Sequence, residues 1–237
     1  MGKIFQYECR RLLWNKFFIG LAVVLLLYGA FVLHAVTILG VSHTAPFSPW
    51  SFGDYLSRML PLLWLGILFF LTFYTSPKAR RTAVLMDAAP MPPKQYALAR
   101  CAAALAGGAL LTLLCIVEAA VFYGRMFGWF GWGSFLLPAL ATLLPALVFA
   151  LGSGWLLGQF LPWLVYVWMA IPFLLAAIPL PDALGLWNGQ FFTSYPLTLG
   201  TMDPEFVMPV SVIVAQITLL ILGAALMVSC SRRKVIN

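Results

Sequence analysis

The chain of 237 residues is 63% hydrophobic and only 9% charged, with a mean hydropathy of +0.98. Soluble domains carry about 25% charged residues, so the solvent for most of this chain is lipid. Six apolar helices of roughly 20 residues each fit its length with nothing left for a soluble domain, and the net charge of +7 is no nucleic-acid footprint because no soluble basic face exists to carry it.

Residues 1–16 come first. Phe5, Cys9, Leu12 and Leu13 recur at helical spacing on one face, with Lys3, Gln6 and Arg10 opposite. That pattern predicts an amphipathic helix lying in the membrane interface.

Uncharged apolar runs then predict spans over about 17–39, 55–75, 101–123, 134–158, 163–180 and 206–229. They are continuous rather than alternating, so a barrel is excluded and an all-α membrane fold remains, with 1–237 as one transmembrane domain. The first run is too long for the ~7–15-residue apolar core of a signal peptide, and no small-residue cleavage site follows, so it reads as a retained helix. The second is drawn back to Tyr55, because Asp54 and Arg58 stand one turn apart and can pair.

Basic residues set the expected orientation. Lys3, Arg10, Arg11 and Lys16 precede the first span, Lys78, Arg80, Arg81, Lys94 and Arg100 fall between the second and third, and Arg232, Arg233 and Lys234 follow the last. Only Arg58 and Arg125, of 14 basic residues, fall on the other side. This bias places both termini in the cytoplasm. The cysteines Cys9, Cys101, Cys115 and Cys230 read as small packing residues and not as a disulfide framework.

The cytoplasmic stretch 76–100 is longer than a connector needs to be. A basic cluster leads into a helix-capable piece, Thr82 to Ala89, which breaks at Pro90, Pro92 and Pro93 and resumes as helix through Lys94, Tyr96 and Arg100. Prolines cannot continue the earlier helix, whereas Pro93 suits the first turn of the next. A short rigid helix lying across the membrane axis is suited to receive force from a soluble partner.

With these features the chain resembles the type-2 permease subunits of ATP-binding-cassette (ABC) exporters. The resemblance covers nearly the whole chain and is carried by the amphipathic leader, the six spans, and the loop sequence Lys78, Arg80 and Arg81, then Leu85, Pro90 and Arg100. The family's loop usually carries a glutamate in the charged run, which is absent here. The resemblance implies an inner (plasma) membrane subunit that pairs with a second permease, identical or related, and docks a cytoplasmic ABC ATPase through Thr82, Leu85, Met86, Ala88 and Pro90. ATP and Mg would then be bound by that ATPase, and this chain would bind no cofactor. It also implies that 181–205 dips back from outside as a gate built on Trp187, Phe191, Phe192 and Tyr195. From the residues alone, an aromatic belt at the headgroups is an equal alternative.

Other chemistries are thinly supported. The Gly152, Ser153, Gly154 triplet, with Gly158 four residues on, reads as a close helix-packing stripe rather than a protease nucleophile, because the only histidines, His34 and His43, belong near the outer interface. No G-x-x-x-x-G-K-[ST] string occurs, so the chain supplies no P-loop ATPase. Glu118 is an acidic residue inside a span, either an interfacial or ion-paired group reaching Arg125 or part of a substrate pathway. A non-transporting scaffold or sensor subunit is the alternative function, and a membrane-embedded enzyme the third.

Overall fold

A computed structural model of the chain describes residues 2–75 and 93–230. Thr82, Leu85, Met86, Ala88 and Pro90, the residues expected to dock an ATPase, lie outside the described residues. The described elements are α1 (Gly2–Leu13), α2 (Lys16–Ala35), α3 (Pro49–Thr75), α4 (Pro93–Phe127), α5 (Leu136–Phe160), α6 (Leu164–Ala177), α7 (Gln190–Thr198) and α8 (Val210–Cys230), with 3₁₀ turns at Thr37–Leu39, Trp132–Phe135 and Asp182–Leu184. Among the described residues there is no strand.

Five of these helices are long and apolar enough to cross a membrane. The exception is α6, which has 14 residues where a span over 163–180 is expected. At ~1.5 Å per residue it reaches only about 21 Å, against a hydrocarbon core of ~30 Å. Its end has a local cause: Pro179 forces Ile178 out of helical geometry, and Ile178 is extended at φ −112°, ψ 139°.

Helix α3 differs in the other direction and begins at Pro49, six residues before Tyr55. Ser48 caps it, its hydroxyl accepting the Ser51 N–H at 3.2 Å, and Pro49 takes the first helical position, where no N–H is needed. Pro93 opens α4 in the same way and the helix runs unbroken to Phe127, as the proline pattern predicts.

Two helices carry the core. In the apolar windows of α3 and α5, 67% of residues are buried, against 28%, 33% and 17% in α2, α4 and α8. The glycine stripe explains how α5 gets so close to its neighbours. Gly152 faces the backbone of Gly223 in α8, Gly154 faces Leu68 and Leu71 in α3, and Gly158 faces Thr75 and Val165. Ser153 is part of this packing: its hydroxyl donates to Phe149 O at 2.6 Å and accepts the Trp168 indole N–H at 2.9 Å.

Helix α1 buries the face expected of it. Leu12 is buried and Phe5 and Cys9 pack on the core, while Lys3, Gln6 and Arg10 are exposed. Asn15 then caps α2 by accepting the Phe17 N–H at 3.0 Å.

Candidate functional site

Beyond Ala177 the chain turns into the bundle. Asn188 Oδ1 accepts the Gln190 N–H at 3.0 Å, and its Nδ2 donates to Ile178 O at 3.1 Å, which closes the turn ahead of α7. Gly189 is required there twice over: its φ is +80°, and a Cβ would meet Asp54 Oδ1 at 2.8 Å. From this turn α7 runs back along the first part of α3.

The depth of the turn follows from its contacts. Trp187 packs 5.5 Å from Trp64 and 6.1 Å from Phe149. Trp64 lies 15 residues into α3, about 22 Å along its axis. Ala183 O accepts from the side-chain amide Nε2 of Gln216, inside α8, at 3.2 Å. Nearer the start of α3, Phe192 lies over Gly53, and Phe191 and Tyr195 stand 5.7 and 6.0 Å from Trp50. Trp187, Phe191 and Phe192 are buried and Tyr195 is half-buried. The four residues expected at a gate therefore pack along α3 in two groups, Phe191, Phe192 and Tyr195 around Trp50 and Trp187 against Trp64. The strap after α7 is fastened too, with the Trp50 indole donating to Pro204 O at 2.8 Å and Asp203 Oδ1 accepting the Ala45 N–H at 3.1 Å.

Beside the turn lies a cavity of about 420 Å³ between α2, α3 and α6, walled by Val24, Tyr28, Leu62, Phe173 and Ala176. Ser57, Arg58 and Asn188 are its polar lining. Arg58 Nε donates to Asp54 Oδ2 at 2.8 Å, the pairing that the spacing predicts. The Asp54 side chain is 2% exposed and the Arg58 side chain 41%. The carboxylate is thus held behind the guanidinium, against Gly189 at the start of α7, where the helix dipole favours negative charge.

Glu118 lies nine residues before the end of its helix, because α4 continues past Tyr123 to Phe127. Its Oε2 accepts the Tyr55 hydroxyl at 3.4 Å, and the same hydroxyl lies 3.2 Å from Cys115 O. Gly29 of α2 packs on the carboxylate. Among the described residues Glu118 makes no ion pair. Arg125, the partner considered for it, is exposed, and seven residues on a helix put it two turns away.

One cluster escaped the sequence reading. Glu8 of α1 is 1% exposed and lies 3.5 Å from Arg100 Nε and 3.7 Å from Arg11 Nη1. Tyr96 donates its hydroxyl to Glu8 Oε1 at 3.0 Å, and Arg100 stacks 4.0 Å over Tyr96 and 5.0 Å over Tyr74. The signal was present: Phe5, Glu8 and Leu12 share one helical face, and a carboxylate on an apolar face needs a buried cationic partner. The network ties α1 to the first turns of α4 and the end of α3. Burial and the Glu8 carboxylate together push the neighbouring Cys9 thiol above its usual pKa.

Comparison with known proteins identifies no relative: no family model, no curated protein and no solved structure matches the chain.

Proposed function

We propose that this chain is the membrane-spanning permease subunit of an ATP-driven ABC exporter, paired with a second permease and docked to a separate cytoplasmic ATPase. The observation that carries the reading is the broken passage α6–turn–α7 beside a cavity holding an ion pair. Non-helical backbone and charge are costly at membrane depth and occur where they line a pathway or are sealed in protein. On this reading α6, the turn and α7 together complete a sixth crossing, and α1 is an interfacial elbow. Both termini are cytoplasmic, and 181–205 re-enters from outside to cover the pathway. Glu118 is a pathway candidate through its contact with Tyr55. The loop resemblance at Lys78, Arg80, Arg81, Leu85, Pro90 and Arg100 supports the coupling role of 82–89.

Purified alone, the chain is expected to hydrolyse no ATP, and co-expression with candidate ABC ATPases from the same genome should recover a complex. Charge substitutions at Leu85 and Ala88 should release that ATPase. Unchanged co-purification and transport in those variants would remove the coupling assignment. Failure of every candidate ATPase to bind would favour a non-transporting scaffold. Orientation is tested with single cysteines at two highly exposed positions, Trp14 (81%) and Met202 (88%), in a background lacking native cysteine. An impermeant thiol reagent should reach only the second from outside intact cells.

A further inference from the structure

The cavity between α2, α3 and α6 has a chemical character that the transport reading alone does not supply. Most of its polar atoms are already bonded. Ser57 Oγ lies 2.9 Å from Gly53 O and 2.7 Å from Leu186 O, and Asn188 uses both ends of its amide in the turn. The carboxylate, Asp54, is buried behind Arg58 and unavailable to a ligand. Two donors remain. Arg58 engages Asp54 through Nε, and among the described residues neither of its terminal nitrogens has a partner. The Tyr28 hydroxyl has none either, and both side chains face the cavity.

The rest of the wall is Val24, Leu62, Phe173 and Ala176, and Val24, Tyr28 and Phe173 are 48%, 38% and 43% exposed, so the cavity opens on an apolar outer face of the bundle. The volume is that of a small-molecule site. A guanidinium fixed in orientation through Nε presents its terminal N–H groups as a fork, a geometry matched to phosphate or carboxylate oxygens. An arginine about 14 Å along a spanning helix is costly unless something answers its charge, and Asp54 answers only one of its three nitrogens.

We infer that this cavity binds an anionic amphiphile from the bilayer, its phosphate or carboxylate head on the terminal nitrogens of Arg58 and its apolar part along α2 and α6. A cation would meet the exposed guanidinium before the buried carboxylate. A free inorganic anion would leave the apolar wall unused. The inference deepens the transport reading by naming a substrate class, and it rests on that reading only for what becomes of the ligand after binding.

The test uses the full chain in phosphatidylcholine nanodiscs, without any ATPase, carrying a trace of photoactivatable phosphatidylglycerol or of phosphatidylcholine with the same acyl chains. Cross-linked peptides from α2 and α6 should carry roughly tenfold more of the anionic probe, the factor expected of a charged hydrogen bond. Arg58→Gln should abolish the preference and Arg58→Lys should keep part of it. Ala176→Trp, on the exposed wall, should block both probes while leaving Arg58 and Asp54 paired, and it serves where Arg58→Gln fails to fold. Equal labelling by the two lipids in the wild type, or a preference that survives Arg58→Gln, would overturn the site. Full displacement by inorganic phosphate would overturn the amphiphile and leave a free-anion site. Because no ATPase is present, a negative result here leaves the transport reading standing, and failure to find a partner ATPase leaves this site standing.

Discussion

The crossing of α5 and α8 gives the sharpest stability prediction. A Cβ added at Gly223 would lie 2.7 Å from Phe149 Cα and from Val148 O, and 2.8 Å from Phe149 N. Carbon contacts are comfortable from ~3.5 Å, so the helices would have to part by about 0.8 Å, which forfeits a quarter to a half of each dispersion contact along the seam. The obstructing atoms are backbone and cannot swing aside. Overpacking of this kind costs about 1–3 kcal/mol, while alanine in place of glycine inside a helix recovers ~0.8–1 kcal/mol. Gly223→Ala should therefore lose a net ~1 kcal/mol, within a range of about 0–2, and Gly223→Val should lose more because it adds β-branched bulk at the same point. Gly20→Ala is the control, since a Cβ there meets nothing within 4 Å and only the helix-propensity gain applies. Unfolding in lipid–detergent mixed micelles, read as the midpoint shift with added denaturing detergent, should place the two alanine variants on opposite sides of the wild type. Equal stability of Gly223→Ala and Gly20→Ala would refute the close crossing.

Three more predictions follow from the same geometry. Glu8→Ala leaves Arg100, whose side chain is 11% exposed, without its carboxylate; the cost should be about 3–5 kcal/mol, and Glu8→Gln should lose less by keeping the Tyr96 hydrogen bond, both read from the same unfolding curves. Cys9, with its thiol pKa raised by burial and by Glu8, should react with a maleimide more slowly than a free cysteine at neutral pH, its rate climbing through higher pH as the thiolate forms; a rate equal to that of free cysteine would contradict the packing of α1. In the segment 181–205, Trp187→Phe and Phe192→Leu should change basal ATP hydrolysis per assembled complex if these buried rings gate the pathway, and wild-type turnover in well-folded variants would count against the gate. Conservative replacements are needed because alanine at these buried rings would cost about 3–5 kcal/mol and confound turnover with folding.

Legibility from sequence tracked how local the determining physics was. The amphipathic face of α1, the Asp54–Arg58 pair, the opening of α4 at Pro93 and the glycine stripe of α5 depend on periodicity or on near neighbours, and each is visible in the chain. The start of α3 is written in Ser48–Pro49, a cap followed by a first-turn proline, whereas hydropathy marks only the later apolar run. The short α6 was hidden in the opposite way: its apolar sequence continues through Ile178 and Leu180, while Pro179 between them ends the helix. What the turn reaches, Trp64 and Phe149 above all, rests on contacts across more than 35 positions, and no local pattern encodes them. The cavity is of the same kind: its residues stand three or four apart within α2, α3 and α6, but the long-range packing that brings those faces and Asn188 together has no local signature.

Buried acidic groups also indicate which parts of the bundle should move together. Glu8 joins α1 to α4, and Glu118, through Tyr55 and against Gly29, joins α2, α3 and α4. In lipid, separating such groups exposes polar atoms to hydrocarbon, so each acts as interhelical glue. The α5–α8 seam is locked by backbone contact at Gly152 and Gly223. On the α6 side the polar ties between α3 and the turn are few: Ser57 to Leu186 O, and Asp54 against Gly189. Motion that opens the bundle should therefore displace α6 and the turn against a body made of α1 to α4, to which α7 is held by Trp50 and Ser42. That displacement would alter the cavity beside Arg58 first, since α6 and Asn188 form one of its walls and α2 and α3 the other. Ligand in the cavity and position of the turn are then two readings of one equilibrium, and whatever binds Arg58 more tightly in one arrangement must shift the other by the same factor. A disulfide fixing the turn to α3 should accordingly change the affinity for the anionic probe, whereas one joining α2 to α4 should leave it unaltered.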